Sequence, residues 1–165
     1  MNNSIVPVHL VVKSMRDNGY KNTAYAVAEL IDNSIQHGSK KVDLICIEKE
    51  SLLGSRTVSR IDQIAVLDNG NGMDKDTLWS SLQFGNGTNL DEGSQTGIGK
   101  FGMGLPSSSI SQALRVDVWT WQGGIENSLY SFLDVNKITS GDMAEVPEPV
   151  LNKIPSEFLK IVSYH

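Results

Sequence analysis

The chain has 165 residues, of which 39% are hydrophobic and 20% charged, a composition that fits one globular domain and excludes a disordered or fibrous chain. Its formal net charge of −5 gives no overall attraction to nucleic acid. The single cysteine, Cys46, excludes an internal disulfide, and no apolar run is long enough to cross a bilayer, so we expect one cytoplasmic domain over residues 1–165.

The first half of the chain predicts one helix and two strands. Apolar residues recur at helical spacing over residues 23–37, and Gly38 follows where a helix terminator belongs. Residues 42–47 and 61–67 favour strands because β-branched and apolar residues dominate them. The polar segment between them, residues 48–60, predicts a turn or an insertion.

A long loop is predicted between two further helices. Asp74 is placed to cap a short helix that ends near Leu82. Glycine and polar residues dominate residues 84–104, so we expect a long, mobile loop there. Helical spacing resumes over residues 104–114.

The last third predicts a hairpin and a tail. Residues 116–121 and 129–135 favour strands that turn near Gly123 and Gly124. Residues 136–165 contain three prolines and then a stretch that fits either a terminal helix or a terminal strand. We therefore treat them as a C-terminal extension.

The first helix carries a polar face without a lysine or arginine. Glu29 and Asn33 are neighbours on it, one turn apart. Taken alone, this pattern is typical of a solvated surface. The residues on this face are Tyr25, Glu29, Asp32, Asn33 and Gln36.

The string Asp-Asn-Gly-Asn-Gly at residues 68–72 ends the second predicted strand. Asp68 could accept a hydrogen bond from an exocyclic amine such as that of adenine, and Gly70 and Gly72 would let a flat ring approach the backbone. Taken alone, the string predicts a plain turn.

Four glycines in eight positions open the helix that starts at residue 104. Glycine-rich backbone at a helix N-terminus can bind phosphate oxygens, and Lys100 adds a positive charge. The P-loop pattern fails, because Ser94 and Phe101 stand where it needs glycine and a hydroxyl residue.

The dinucleotide pattern is a second alternative for this glycine-rich segment. Gly97, Gly99 and Gly102 satisfy its spacing, and Asp117 follows at about the right distance. The pattern also needs a strand directly before it, but polar loop precedes Gly97, and Asp117 lies inside a predicted strand. We therefore interpret this match as fortuitous.

Together, in this order, the three motifs resemble the ATP-binding domain of the GHKL superfamily, named for gyrase, heat-shock chaperones, histidine kinases and MutL. Residues 29–33 resemble its N-box, residues 68–72 its Asp-x-Gly-x-Gly motif and residues 99–104 its second glycine box. Within the superfamily, the strings resemble MORC-type and related bacterial ATPases. The resemblance covers residues 8–135, the expected core of the domain.

The resemblance implies an α/β (α+β) two-layer sandwich, the Bergerat fold, in which a mixed β-sheet carries helices on one face. The nucleotide would lie between the helices and a lid at residues 84–96. Residues 136–165 would lead toward a transducer domain, so we expect the N-terminal domain of a larger protein.

The resemblance also implies roles for individual residues. Asn33 would ligate Mg²⁺ and Glu29 would deprotonate the attacking water. Asp32 would support the pocket, and Asp68 would hold the adenine amino group. The other implied cofactor-binding residues are Gly70, Gly72, Met73, Gly97, Gly99, Lys100, Phe101, Gly102, Met103 and Gly104.

The implied function is Mg²⁺-dependent binding and slow hydrolysis of ATP, acting as a conformational switch or as an ATP-dependent homodimerisation switch. Hydrolysis would be slow because Pro106 stands where MORC proteins usually carry a lysine, and because the superfamily borrows another lysine from a following domain. Two alternatives stay open: a sensor-kinase-like catalytic domain, which His37 favours and Glu29 disfavours, and a nucleotide-sensing module without turnover. The expected partners are ATP or ADP and an unidentified downstream domain or protein, with no signal for nucleic acid or membrane.

Overall fold

The computed structural model describes residues 8–18, 20, 22–84 and 104–158. Along them two helices, two strands, two helices and two strands follow one another before a last helix and strand, and a short 3₁₀ turn spans Ile125–Asn127. The helices are α1 (Val8–Asn18), α2 (Thr23–Gln36), α3 (Lys75–Ser81), α4 (Gly104–Gln112) and α5 (Val135–Ser140). The strands are β1 (Val42–Leu53), β2 (Arg56–Asp68), β3 (Arg115–Thr120), β4 (Leu129–Asp134) and β5 (Val150–Leu151).

The expected α/β class is confirmed, with helices packed against antiparallel sheets. β1 and β2 form one hairpin, in which Val42 lies opposite Asp68, while β3, β4 and β5 form a second sheet in that order. All strand pairs among the described residues are antiparallel. Among the described residues no strand pairing joins the β1–β2 hairpin to the β3–β4–β5 sheet, so the single mixed sheet that the resemblance implies is not observed there.

The hydrophobic core lies between the β3–β4–β5 sheet and the helices α1, α4 and α5. Its buried side chains come from each of these helices and from β4, with Leu82 added from the end of α3. Removing these apolar side chains from water stabilises the packing of the helices on the sheet. The buried set is Val12, Leu82, Ile110, Leu133, Val135 and Ile138.

A turn lies within residues 48–60, as predicted, but it is much shorter than this segment. Both strands continue through it, and the chain reverses only at Gly54 and Ser55, where Gly54 has a φ of 63°. Cross-strand pairing supports this outer half of the hairpin: the Ser59 hydroxyl donates to a Glu48 carboxylate oxygen at 2.7 Å. Because both faces of the outer half are exposed, it needs no apolar alternation, which is the signal that sequence reasoning uses.

The predicted helices at α2, α3 and α4 and the predicted strands at β3 and β4 are confirmed. α1, α5 and β5 were not predicted. α5 takes the end of the predicted strand, because the Asp134 carboxylate accepts a hydrogen bond from Lys137 N at 3.1 Å and caps a helix there. Most of the loop predicted for residues 84–104 lies outside the described residues. None of the helices within the described ranges combines the length and apolar character that a bilayer span requires.

Candidate functional site

α2 brings the first motif into the site. Asn22 caps it, since its side-chain oxygen accepts from Tyr25 N at 3.2 Å, and the chain leaves the helix at Gly38 with a φ of 89°. Ala26 is buried at 2% exposure, whereas Ile35 on the apolar stripe is 56% exposed. Glu29 and Asn33 on the polar face are half-buried. Part of this face therefore points toward the protein interior, contrary to the solvated surface that the pattern alone indicates.

The first residue of α4 meets this polar face. A methyl group built on Gly104 would lie 2.6 Å from Glu29 Oε1 and 3.5 Å from Asn33 Nδ2. Only a residue without a side chain leaves the two groups undisturbed at this distance. The structure thus brings together the proposed base, the proposed magnesium ligand and one glycine of the phosphate motif.

The surroundings of Glu29 raise the pKa of its carboxyl group. Partial burial raises the pKa of the Glu29 carboxyl above its ordinary value, and the negative charge of Asp32 raises it further. Asp32 itself is exposed. A carboxylate with a raised pKa accepts a proton from water more readily than an ordinary glutamate does.

Asp68 is held rigidly at the end of β2. Its Oδ1 accepts from the Ser39 hydroxyl at 2.9 Å and from Gly70 N at 2.8 Å. Its Oδ2 lies 3.2 Å from the Ser34 hydroxyl of α2, whose one hydrogen is shared between this carboxylate and the carbonyl oxygen of Leu30 at 3.0 Å. A carboxylate offers about four acceptor positions, so Oδ2 retains capacity for one more donor.

The two glycines of the second motif sit in close contact with the chain itself. A methyl group on Gly70 would lie 2.7 Å from Ser39 Oγ and 3.1 Å from the carbonyl oxygen of His37. Gly72 has a φ of 65°, and a methyl group there would lie 2.1 Å from the carbonyl oxygen of Trp121. Both glycines therefore let the turn pack against the end of α2 and the end of β3.

Backbone groups of the turn are tied to both neighbouring segments. Met73 N donates to Thr120 Oγ1 at 2.7 Å, and Gln122 Nε2 donates to the carbonyl oxygen of Asn71 at 3.3 Å. Asn69 Oδ1 accepts from the backbone N–H groups of Lys40 and Lys41, both at 2.9 Å. These bonds set the position of the motif relative to α2 and β3.

Three hydroxyl residues that hold the site were missed by sequence reasoning: Ser34, Ser39 and Thr120. Ser34 follows the N-box directly and Ser39 follows Gly38, where the helix ends. This position beside the motifs is the only feature of the sequence that could have indicated a role in the site. Thr120 gave none, because only the tertiary fold brings it to Met73.

Asp117, the acidic residue of the rejected dinucleotide pattern, lies inside β3 as predicted. It accepts from Arg115 Nε at 3.0 Å and from the Tyr130 hydroxyl at 2.6 Å, so its oxygens serve a network on the sheet. Gly97, Gly99, Lys100, Phe101, Gly102 and Met103 lie outside the described residues and remain predictions.

An open cleft of about 2290 Å³ lies among α2, β2, α4 and β3. It exceeds the size of ordinary small-molecule pockets, so its polar groups and not its volume would select a ligand. Groups of three or more His, Cys, Asp or Glu side chains that could hold a metal ion do not occur in the described ranges. The residues that line the cleft include Glu29, Asp32, Asn33, Asp68, Gly70, Gly72, Met73 and Gly104.

Comparison with known proteins gives two matches. Residues 20–162 match the family described as histidine kinase-, DNA gyrase B-, and HSP90-like ATPase. The chain is also 29% identical over 127 residues to a protein of Mus musculus named ATPase MORC2B. That alignment covers 77% of this chain and 12% of the mouse protein, so the chain spans a small part of that relative's length.

Proposed function

The chain belongs to the family of histidine kinase-, DNA gyrase B- and HSP90-like ATPases and is related to the MORC type, and from this membership we propose that it binds ATP with Mg²⁺ and hydrolyses it slowly. We further propose that nucleotide binding acts as a conformational or dimerisation switch within a longer protein. ATP binding and hydrolysis are the general function of the family; the metal, the switch and the residue roles are our proposal.

The observation that carries the proposal is the meeting of Glu29, Asn33 and Gly104. Hydrolysis of a triphosphate needs a base for water and a neutralising charge on the phosphates, close to each other. Glu29 supplies a half-buried carboxylate whose pKa is raised, first by burial and then by Asp32. Gly104, at the start of α4, leaves room beside that carboxylate.

Asn33 fits the role of magnesium ligand. An amide oxygen is a hard, neutral donor of the kind that Mg²⁺ accepts beside phosphate oxygens and water. Asn33 is half-buried one turn from Glu29, so the metal and the base would act on the same phosphate. When bound, the ion would neutralise phosphate charge, while Asn33 would fix its place.

Asp68 fits the role of adenine acceptor. Hydrogen bonds from Ser39 and Gly70, together with the shared Ser34 hydroxyl, hold its carboxylate in one orientation. Such preorganisation lowers the entropy lost on binding, and Oδ2 still has a free acceptor position. The contact with Ser34 also connects the proposed adenine acceptor, Asp68, to α2. The same helix carries Glu29 and Asn33.

Glu29 separates the proposal from a nucleotide-sensing module without turnover. A module of that kind needs no base beside the phosphates. Here the Glu29 carboxylate of α2, whose pKa is raised, lies against Gly104, the first residue of α4. His37, which favoured the sensor-kinase alternative, places its Nδ1 2.8 Å from the carbonyl oxygen of Asn33, a contact within the end of the helix.

Calorimetric titration with ATP and Mg²⁺, and with NAD as comparator, tests the proposed site. We expect saturable ATP binding, weakened roughly 10- to 100-fold by Asp68→Ala, because a hydrogen bond to a charged group contributes about 1.5–3 kcal/mol. Asn33→Ala should remove the enhancement that Mg²⁺ gives. Matched controls on exposed helical positions, Asp76→Ala and Asn136→Ala, should bind as the wild type does. Binding of NAD in place of ATP, or equal binding by all variants, would contradict the proposal.

A further inference from the structure

The last turn of α4 is held by an arginine of α1. Carbonyl groups in the last turn of a helix have no partner within the helix, and a nearby cation also interacts favourably with the helix dipole. Arg16 Nη1 donates hydrogen bonds to the carbonyl oxygens of Ile110 and Ala113, at the end of α4. Val12, on the same helix as Arg16, packs in the hydrophobic core with Ile110. Arg16 therefore ties this end of α4 to a helix that is itself anchored.

α2 contacts the same turn of α4. The hydroxyl group of Thr23, the first residue of α2, donates to Gln112 Oε1 at 2.7 Å, and Gln112 is the last residue of α4. Farther along α2, Glu29 and Asn33 lie beside Gly104, the first residue of α4. The two helices therefore run in opposite directions and meet at both ends of α4.

The spacing along the two helices agrees with one register. At a rise of about 1.5 Å per residue, Gly104 and Gln112 are about 12 Å apart along α4. Along α2, Glu29 lies about 9 Å from Thr23, and Asn33 about 15 Å. Placing Gln112 beside Thr23 thus brings Gly104 to the level between Glu29 and Asn33. The contacts at the two ends of α4 belong to one arrangement.

Hydrogen bonds specify this register more sharply than apolar packing does. Apolar burial is non-directional, whereas a hydrogen bond weakens steeply as its distance or angle changes. One nitrogen of Arg16 donates to two carbonyl oxygens, so α4 has little freedom to slide or rotate while both bonds remain. Because α4 is a single helix of nine residues, a displacement of its last turn also displaces Gly104.

We propose that Arg16 and Thr23 are positioning residues for the hydrolysis proposed above. They hold the last turn of α4 so that Gly104, at the opposite end, stays beside the Glu29 carboxylate and the Asn33 amide. Both residues act on the site through α4. A misplacement of about 1 Å can lower the rate of a reaction about 100-fold, so loss of these bonds reduces turnover.

The inference rests on the proposed function, and Arg16→Met tests it. Methionine keeps an apolar stem and removes the guanidinium group, so both bonds to α4 are lost. At saturating ATP with Mg²⁺, and at a temperature where circular dichroism shows the variant folded, we expect kcat to fall about tenfold or more. A purely structural role predicts a lower melting temperature with normal kcat. Lys13→Met removes an exposed cation from the same helix and is the matched control.

Two conservative variants refine the test. Arg16→Lys should recover part of the lost kcat, because its ammonium group keeps the charge and donors for a carbonyl oxygen. Thr23→Val removes only the hydroxyl group and should lower kcat about threefold, whereas Thr23→Ser keeps the hydroxyl and should turn over as the wild type does. Normal kcat in Arg16→Met, or in Thr23→Val where Arg16→Met does not fold, overturns the proposal.

A double-mutant cycle shows whether Arg16 acts through the start of α4. Gly104→Ala disturbs the other end of the same arrangement, so Arg16→Met should reduce kcat much less in the Gly104→Ala background than in the wild type. Equal reductions in both backgrounds would mean independent effects and would overturn the role of Arg16. If Arg16→Met has normal kcat while Glu29→Gln abolishes turnover, the proposed function still stands. Absence of ATP binding and turnover in the wild type contradicts both.

Discussion

Glu29 is the proposed general base, and its surroundings raise the pKa of its carboxyl group. It is half-buried beside Gly104, and its pKa is raised by burial first and by the charge of Asp32 second. A general base works only when deprotonated, so kcat should fall as the pH drops through this raised pKa.

Asp32→Asn tests the second cause of the shift. Removing the Asp32 charge should lower the pKa of Glu29, so the acidic limb of kcat against pH should move to lower pH. Burial would remain, so the shift toward the ordinary value should be partial. Asp76→Asn, a change of the same chemistry on an exposed position of α3, should leave the limb in place. A limb that moves upward or stays fixed in Asp32→Asn contradicts this assignment.

The same shift predicts how Glu29 affects stability. The pKa of Glu29 in the folded state lies above its unfolded value, so its ionised form opposes folding at neutral pH. Glu29→Gln should therefore melt at a higher temperature than the wild type at pH 7–8. The difference should vanish as the pH falls below the unfolded pKa of about 4.3, where Glu29 is protonated in both states. Thermal unfolding monitored by circular dichroism across pH measures this, and a lower melting temperature of Glu29→Gln at neutral pH is the contrary result.

At the scale of elements, the turn after β2 depends on Gly72, whose positive φ and close neighbours leave no place for a side chain. Gly72→Ala would place a methyl group 2.1 Å from a backbone oxygen of Trp121, in a residue with a φ of 65°. Gly54 at the hairpin turn has a φ of 63° and nothing within 4 Å, so Gly54→Ala isolates the backbone strain from the clash. We expect Gly54→Ala to cost about 1 kcal/mol in the free energy of unfolding and Gly72→Ala distinctly more. Equal losses in denaturant titration would show that the turn does not pack against β3 as described.

Gly104, at the start of α4, differs from Gly72 because substitution should affect turnover more than stability. A methyl group there would meet the end of the flexible Glu29 side chain and not a backbone atom, so Gly104→Ala should leave the melting temperature within a few degrees. It should nevertheless lower kcat roughly tenfold or more, because the carboxylate must move away from the site. Thermal unfolding and turnover of the variant are measured side by side. An unchanged kcat would contradict the proposal that Glu29 and Gly104 belong to one site.

Sequence reasoning predicted the elements whose burial leaves a periodic pattern, such as α2, β3 and β4. It missed the outer half of the β1–β2 hairpin, since strands exposed on both faces carry no such pattern. In the site, the family resemblance implied roles for Glu29, Asn33 and Asp68, and these roles stay predictions. Sequence reasoning could not identify Thr120, because its hydrogen bond with Met73 arises from a tertiary contact, which one sequence does not display.

For the molecule as a whole, the proposed ligand would contact both the β1–β2 hairpin and α4, which packs on the other sheet. The β1–β2 hairpin carries Asp68, while α4 packs into the core through Ile110 against the other sheet. Between the end of β2 and β3, the Met73–Thr120 hydrogen bond is one of the few links. A nucleotide that contacts both Asp68 and Gly104 would bind only the arrangement that brings these parts together, which is the physical basis of the proposed switch. Saturating ATP with Mg²⁺ should therefore raise the melting temperature of the wild type, and the rise should be lost in Asp68→Ala.

The most direct test of the account is phosphate release from ATP with Mg²⁺ in a single-turnover experiment, with the chain in excess over the nucleotide. Wild type and Glu29→Gln are compared at equal, calorimetrically verified ATP occupancy. The account predicts slow but measurable release by the wild type and a loss of about 10²-fold or more in Glu29→Gln, because only the base is removed. Equal rates in the two proteins, at equal occupancy, would contradict the assignment of this chain as an ATPase that uses Glu29.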